Sequence, residues 1–328
     1  MNVLLTGGAG YIGSHVLRTL AAGGHECTAY DSLDNGHAHA VAGARLVVAD
    51  VAAAPALRRT LRDNAIDTVI HFAALIEAGE SMAAPDKYFR NNTFNALTLL
   101  EAMNECGVKR LVFSSTAAVY GNPDRTPIEE TDRLAPINPY GASKLAVEYM
   151  IRAHAHAFGL GAVCLRYFNV AGADPAGDIG EAHSPETHLI PLVLEAALGK
   201  RTQIKIFGDD YDTPDGTCIR DYIHVCDLAA AHVLAAGAIA PGAVDVFNLG
   251  NGEGFSVKQV IETCRTVTGL AIPSVLAPRR PGDPARLVAS SQKALSQLGW
   301  RPQFPSLAVI VAHAWQWHKN HPQGYGDR

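Results

Sequence analysis

Tyr140 and Lys144 stand four positions apart in the run Pro139-Tyr140-Gly141-Ala142-Ser143-Lys144. Asn138 precedes the run as a natural N-cap and Pro139 suits a first helical position, so the spacing predicts a helix with both side chains on one face. A phenol titrates near 10 and is a poor base at neutral pH, but a neighbouring ammonium favours its ionised form. Upstream, an apolar run ends in Ser114-Ser115-Thr116, which brings hydroxyls to the carboxyl edge of a sheet, where open α/β sheets bind ligands. Thr116 can donate to a substrate oxygen and relay its proton to Tyr140, so hydroxyl, phenol and ammonium make a proton-transfer set.

A second chemical signal opens the chain. Thr6-Gly7-Gly8-Ala9-Gly10-Tyr11-Ile12-Gly13 separates an apolar run, Val3 to Leu5, from a helical pattern through Val16, Leu17 and Leu20. Glycines at 7, 10 and 13 let the backbone turn tightly and approach a diphosphate, while the helix N-terminus presents free N–H groups. Asp31 closes the next strand, where a carboxylate accepts from an adenosine ribose 2′-hydroxyl and repels a 2′-phosphate, which favours NAD over NADP. An oxidised nicotinamide would then be a second cation beside Tyr140. Lowering the phenol by about three units takes roughly 4 kcal/mol, within reach of two cations in a partly desolvated cleft. Farther on, Arg220-Asp221-Tyr222-Ile223-His224-Val225 and Arg279-Arg280-Pro281-Gly282-Asp283 each set an Arg beside a carboxylate in loop-like sequence, suited to phosphate oxygens.

These residues need a scaffold, and the sequence supplies one of α/β type. Strand-like runs recur at Val3 to Leu5, Cys27 to Tyr30, Leu46 to Val48, Thr68 to Phe72, Leu111 to Phe113, Val163 to Phe168 and Val244 to Leu249. Helical patterns lie between them, as in Ala96, Leu99, Leu100 and Met103 with Gly107 as a stop. The alternation predicts a Rossmann-type doubly wound parallel sheet with right-handed crossovers. From about Val170 the chain turns loop-rich, and a smaller interleaved α/β substrate lobe is expected. The division is 1–169 with about 220–249 for the dinucleotide domain, and about 170–219 with 250–328 for the second lobe.

Composition narrows the class further. In 328 residues, 48% hydrophobic against 18% charged excludes disorder, and 27 basic against 32 acidic residues (net charge −5) argues against a nucleic-acid partner. No run approaches the roughly 20 apolar residues of a membrane span, and the N-terminus lacks a signal-peptide pattern, so a cytoplasmic protein is expected. Cys27, Cys106, Cys164, Cys218, Cys226 and Cys264 form no C-x-x-C pair and are expected as free thiols. His37 with His39, and His154 with His156, have no third ligand at a recognisable spacing, so no metal is expected.

The spacing G-x-x-G-x-x-G after Thr6 resembles the extended branch of the short-chain dehydrogenase/reductase superfamily. Asp31-Ser32-Leu33-Asp34-Asn35, Phe72-Ala73-Ala74, Gly79-Glu80-Ser81, Asn91-Asn92, Ser114 to Gly121, Tyr140 to Lys144, Leu165-Arg166-Tyr167-Phe168-Asn169 and the two Arg segments carry the likeness over essentially the whole chain. Together they resemble the UDP-galactose 4-epimerase family. The resemblance implies tightly held NAD and a UDP-galactose or UDP-glucose substrate inverted at C4 without net oxidation. Tyr140, helped by Thr116, would take the 4-OH proton while the C4 hydride passes to NAD. The 4-ketohexose would turn about its diphosphate linkage and take the hydride back on its other face, with Lys144 holding the ribose.

By the same resemblance, NAD would contact Gly7, Gly10, Tyr11, Ile12, Gly13, Asp31, Asn35, Asp50, Val51, Phe72, Ala73, Ala74, Asn91, Ser114, Tyr140, Lys144 and Tyr167. UDP-sugar would contact Thr116, Tyr140, Asn169, His188, Leu189, Phe207, Arg220, Tyr222, Arg280, Asp283 and Leu287. A homodimer through the helices around Asn92 to Cys106 and Asn138 to Phe158 is implied too. The chain departs from the pattern at Ile76, where some members carry Lys, and at His188, where others carry Asn. Leu287 occupies the position that gates an N-acetyl group and is intermediate in size, so weak acceptance of UDP-N-acetyl sugars is expected. A 4,6-dehydratase would need an acid and a base where Ala117-Ala118 stand. Epimerisation or decarboxylation of another UDP-sugar, such as a uronic acid, and a non-catalytic NAD-binding sensor remain as rival readings.

Overall fold

The computed structural model describes residues 1–41, 43–280 and 283–326; of the second Arg segment, Pro281 and Gly282 lie outside the described residues. In chain order the strands are β1 (Asn2–Thr6), β2 (Glu26–Asp31), β3 (Arg45–Val48), β4 (Thr68–His71), β5 (Arg110–Thr116), β6 (Gly161–Tyr167), β7 (Asn169–Ala171), β8 (Ile204–Phe207), β9 (Ile219–Arg220), β10 (Tyr222–His224), β11 (Val244–Leu249), β12 (Phe255–Ser256), β13 (Ser274–Ala277) and β14 (Arg286–Leu287). The helices are α1 (Tyr11–Ala22), α2 (Ala54–Asp63), α3 (Ala78–Ala83), α4 (Pro85–Tyr88), α5 (Asn95–Glu105), α6 (Pro139–Phe158), α7 (Leu189–Ala197), α8 (Val225–Ala238), α9 (Val257–Thr268) and α10 (Leu307–Asn320).

Seven strands form one parallel sheet in the order β11-β6-β5-β4-β1-β2-β3, the Rossmann arrangement expected from the alternation of strands and helices. Period-two geometry sorts the strand residues onto two faces. Val3, Leu5, Ile70, Val112 and Val163 pack with Val16, Leu17 and Leu20 of α1 and with Leu228, Ala231 and Ala235 of α8. Leu4, Val69, Leu111, Phe113 and Cys164 face the other way, onto α2, α5 and α6. The chain reverses direction across the sheet between β1 and β4, so their carboxyl ends border the crevice in which such sheets bind ligands.

A separate core gathers α7, α9 and α10 with Ile204, Ile206 and Tyr222. Beside it lie the small sheets β10-β7, β12-β9-β14 and β13-β8. The segment from Arg220 to His224, expected as a loop, is instead two short strands: Tyr222 to His224 pair with Asn169 to Ala171, and Arg220 pairs with both Phe255 and Leu287. Strands this short are made by their partners rather than by their own periodicity. Among the described residues no helix is long and apolar enough to cross a membrane.

Candidate functional site

The glycine turn after β1 is built for close approach. Gly7 has φ +71, and a Cβ there would lie 2.7 Å from the Ala73 nitrogen; a Cβ on Gly13 would lie 2.2 Å from the Gly7 oxygen. Both positions exclude any side chain, which draws the first turn of α1 onto the loop and leaves a cradle of bare backbone. Gly10 is tight without being closed, its added Cβ meeting the Gly7 oxygen at 3.3 Å. Asp31 is buried at the end of β2, and its carboxylate accepts from the Ala9 and Leu33 N–H groups, each at 2.9 Å. It therefore fixes the glycine loop.

Other residues expected at the cofactor cluster around the same sheet edge. Phe72 and Ala73 follow β4, both donating N–H to the Thr6 oxygen, at 2.8 and 3.0 Å. Ala74 is half-buried just beyond, Val51 is buried after β3, and Asn35 and Asp50 are exposed. Asp50 caps its own turn by accepting from Ala52 N–H at 2.6 Å. Tyr11 and Ile12 begin α1, with the Tyr11 hydroxyl donating to the Gly172 oxygen at 2.7 Å. Asn91 donates to the buried Asn92 side chain at 3.1 Å. Asn92 in turn pairs with both backbone groups of Leu75 and donates to Ser143 Oγ, tying the loop after β4 to α6.

At the reacting end, α6 starts as its sequence predicts. Asn138 Oδ1 accepts from Gly141 N–H at 2.8 Å, and the helix stops at Gly159 with φ +71. Lys144 is buried and donates to the Ser114 oxygen at 2.9 Å, while its Nζ lies 5.1 Å from the Phe113 ring centre. Burial lowers its pKa to about 7. Thr116 ends β5, with its Oγ1 accepting from Ala118 N–H at 3.1 Å. In the sheet Thr116 is level with Tyr167, whose hydroxyl bonds Ser114 Oγ. The Tyr140 phenol is pushed above its ordinary value by desolvation, with the Thr116 side chain acting the opposite way and Glu77 adding to the rise. The protein alone thus moves this phenol in the direction opposite to the one expected from Lys144.

Asp221, next to Arg220, does not bond it: successive residues of extended backbone point to opposite faces, and the fully buried Asp221 carboxylate accepts from Asn251, Gly252 and Ala289 N–H groups. Arg220 reaches Asp283 instead, at 3.3 Å, and donates to the Pro284 oxygen at 2.8 Å, which joins the two Arg segments. Arg280 stacks 4.1 Å over the Phe207 ring, and Arg279 holds Asp210 at 2.5 Å. Leu287 packs against the cluster of Ala117, Tyr120 and Phe168 that adjoins Thr116. Asn169 begins β7 and donates its N–H to the Asp221 oxygen at 3.0 Å. His188 and Leu189 lie at the start of α7. Tyr222, expected beside the nucleotide, is buried in the second core because its pairing with Asn169 turns it inward.

Beneath the catalytic face lies a network that the sequence reading did not single out. Glu148, four residues past Lys144, meets the buried Arg166 through two bonds, at 2.9 and 2.6 Å. Ser115 Oγ donates to the same carboxylate at 2.6 Å, and Arg166 donates to the Tyr120 hydroxyl at 2.9 Å. Continuation of the i, i+4 series from Tyr140 through Lys144 to Glu148 was the available signal. The His pairs at 37/39 and 154/156 do not gather: His37 bonds the Ala182 oxygen, His39 that of Tyr325 and His154 that of Met150.

The model of the NAD dependent epimerase/dehydratase family matches residues 3–250. A UDP-glucose 4-epimerase from Halalkalibacterium halodurans is 55% identical over 326 residues, covering 99% of this chain and 98% of the relative. The UDP-glucose 4-epimerase of Brucella ovis, solved in complex with NAD, has a TM-score of 0.92 at 44% identity over 96% of this chain and 97% of that one. The enzyme of Bifidobacterium longum, solved with NAD+ and UDP, has a TM-score of 0.95 at 38% identity over 99% and 100%.

Proposed function

The chain belongs to the NAD dependent epimerase/dehydratase family, and we propose that it interconverts UDP-galactose and UDP-glucose by inverting C4 through a 4-ketohexose. The carrying observation is that Tyr140 meets the Thr116 side chain and Lys144 meets the Ser114 oxygen, both at the carboxyl end of β5, in the sheet that also carries the glycine cradle and Asp31. NAD is the cofactor, and the bare backbone at Gly7 and Gly13 fits its diphosphate. Bound there, it supplies a reversible hydride acceptor, so the sugar leaves with no net oxidation.

The residues of the chain do the rest. Tyr140 takes the 4-OH proton and returns it, Thr116 bridges phenol and sugar, and Lys144 holds the ribose and the local positive charge. Arg220, Arg280 and Asp283 hold the UDP while the sugar turns, with Phe207 stacked under Arg280. Asn169, His188 and Leu189 line the sugar-phosphate side. We assign residues 1–169 with about 220–249 to NAD and about 170–219 with 250–328 to UDP-sugar. Leu287, wedged against Ala117 and Phe168, supports weak turnover of UDP-N-acetyl sugars.

A cytoplasmic homodimer completes the reading. Its support is the exposed apolar side chains Phe94, Tyr149 and Phe158, on or adjoining α5 and α6. The test is incubation of purified protein with UDP-galactose and no added NAD. UDP-glucose should form, and denaturation should release NAD into the supernatant. No product despite released NAD would overturn the choice of substrate and leave uronic acid and N-acetyl sugars to be tried.

A further inference from the structure

The loop entering α7 reads Glu181-Ala182-His183-Ser184-Pro185-Glu186-Thr187-His188. Its four ionisable side chains turn toward one another, with one ligand atom from each within 4.8 Å of the rest. Glu181 Oε1 lies 2.8 Å from His188 Nδ1 and 3.2 Å from His183 Nδ1. Glu186 closes the ring, its Oε1 3.3 Å from His188 Nδ1 and its Oε2 3.8 Å from His183 Nδ1. Glu181 is 3% exposed and Glu186 9%.

Simple ion pairs would satisfy these groups if each ring N–H pointed at its carboxylate. Neither does. Both Nδ1 atoms are sealed from solvent and make no hydrogen bond, although carboxylate oxygens stand within reach. Nitrogens near the oxygens but not bonded to them leave two ring acceptors and two carboxylates gathered within 4.8 Å, a donor set that suits a bound cation. Tetrahedral zinc with bonds of roughly 2.0–2.2 Å spaces its ligand atoms about 3.4 Å apart, and the four separations here straddle that value.

We propose that Glu181, His183, Glu186 and His188 form a closed four-ligand site for a divalent cation, and that its imidazole and carboxylate donors select zinc. Four protein ligands leave no open position for substrate, so the ion is structural. The surroundings hold the ligands in place: Trp317 Nε1 donates to the Glu181 backbone carbonyl at 3.0 Å, and the His188 backbone N–H donates to Glu186 Oε1 at 2.8 Å. Coordination through Nδ1 keeps the His188 proton on Nε2 and makes that nitrogen a permanent donor. The site departs from the expectation of no metal. That expectation looks for His and Cys pairs, whereas these donors alternate as E-x-H-x-x-E-x-H.

The test uses untagged full-length protein stripped with a chelator and titrated with Co2+, then with Zn2+ as competitor. One equivalent of Co2+ should give the visible absorption of tetrahedral coordination, and Zn2+ should abolish it. His183→Ala and Glu186→Gln should each weaken Zn2+ binding by about 100-fold or more, with unchanged circular dichroism. If His183→Ala fails to fold, Glu181→Gln replaces it. Chelation should lower the thermal midpoint of the wild-type chain, and Zn2+ should restore it. Absence of the Co2+ band, or a band that survives in the variants, overturns the site.

Discussion

Lys144 donates to the Ser114 carbonyl oxygen at 2.9 Å, so its ammonium latches α6 to the end of β5. A buried cation with a single carbonyl partner costs stability, which the lowered pKa of about 7 records. Lys144→Met should reduce turnover by about 10²–10⁴-fold. It should also raise the thermal midpoint of the NAD-stripped protein, by the equivalent of about 1–4 kcal/mol. Calorimetry of the stripped variant checks this, and a lower midpoint would show that the Ser114 bond outweighs the cost of burial.

Tyr140 is the proposed proton carrier, and its surroundings raise rather than lower its pKa. Tyr140→Phe should lower kcat by about 10²–10⁴-fold while UDP-sugar still binds, because only an interaction of the reacting state is lost. Thr116→Val should cost less, since Tyr140 keeps its place. Steady-state kinetics with binding calorimetry separate the two effects. Wild-type turnover in Tyr140→Phe would remove the tyrosine from the mechanism.

Arg166 and Glu148 form a doubly bonded pair, each about 1% exposed. Glu148→Gln leaves the guanidinium buried without a counter-charge and should destabilise the fold by about 3–5 kcal/mol. Adding Arg166→Met should recover much of that loss, since an apolar side chain needs no partner. Urea unfolding of the single and double variants measures the difference.

Acid should destabilise the protein through its buried histidines. Burial, and then the Lys144 charge, lowers His71 to about 3; burial lowers His232 to about 4, against a hydrogen bond to the Leu228 oxygen. Unfolded, both titrate near 6.5. Between the folded and unfolded values the unfolded chain binds more protons, so stability falls as pH drops below 6.5 and does not respond to these groups above 7.5. At pH 5 each histidine accounts for a loss of about 2 kcal/mol. Urea midpoints at pH 7.5 and pH 5 test this, and equal midpoints would exclude it.

Much of this was legible before any coordinates. Tyr140, Lys144 and the Asn138 cap lie in one helical turn, and Gly7, Gly13 and Asp31 lie in one strand-turn-helix-strand unit, so local spacing determines them. Arg220 shows where local spacing fails. Its sequence neighbour Asp221 looks like its partner, yet a strand turns the two apart, and the true partner Asp283 arrives only through the pairing of β9 with β14. Glu148 continues the spacing of Tyr140 and Lys144 on α6, but its pairing with Arg166 is visible only once β6 lies beside that helix.

The sheet closes with β11, where Val244 pairs with Ala162 across the whole intervening segment of the chain. Until that strand is synthesised, β6 presents an open edge of unpaired backbone and apolar side chains. The last closure therefore carries the largest loop entropy of the sheet, and it falls late in folding. A chain released before Val244 would hold a complete glycine cradle and a complete Tyr140 helix beside a sticky, unfinished edge. Its fate would be association with other chains rather than catalysis.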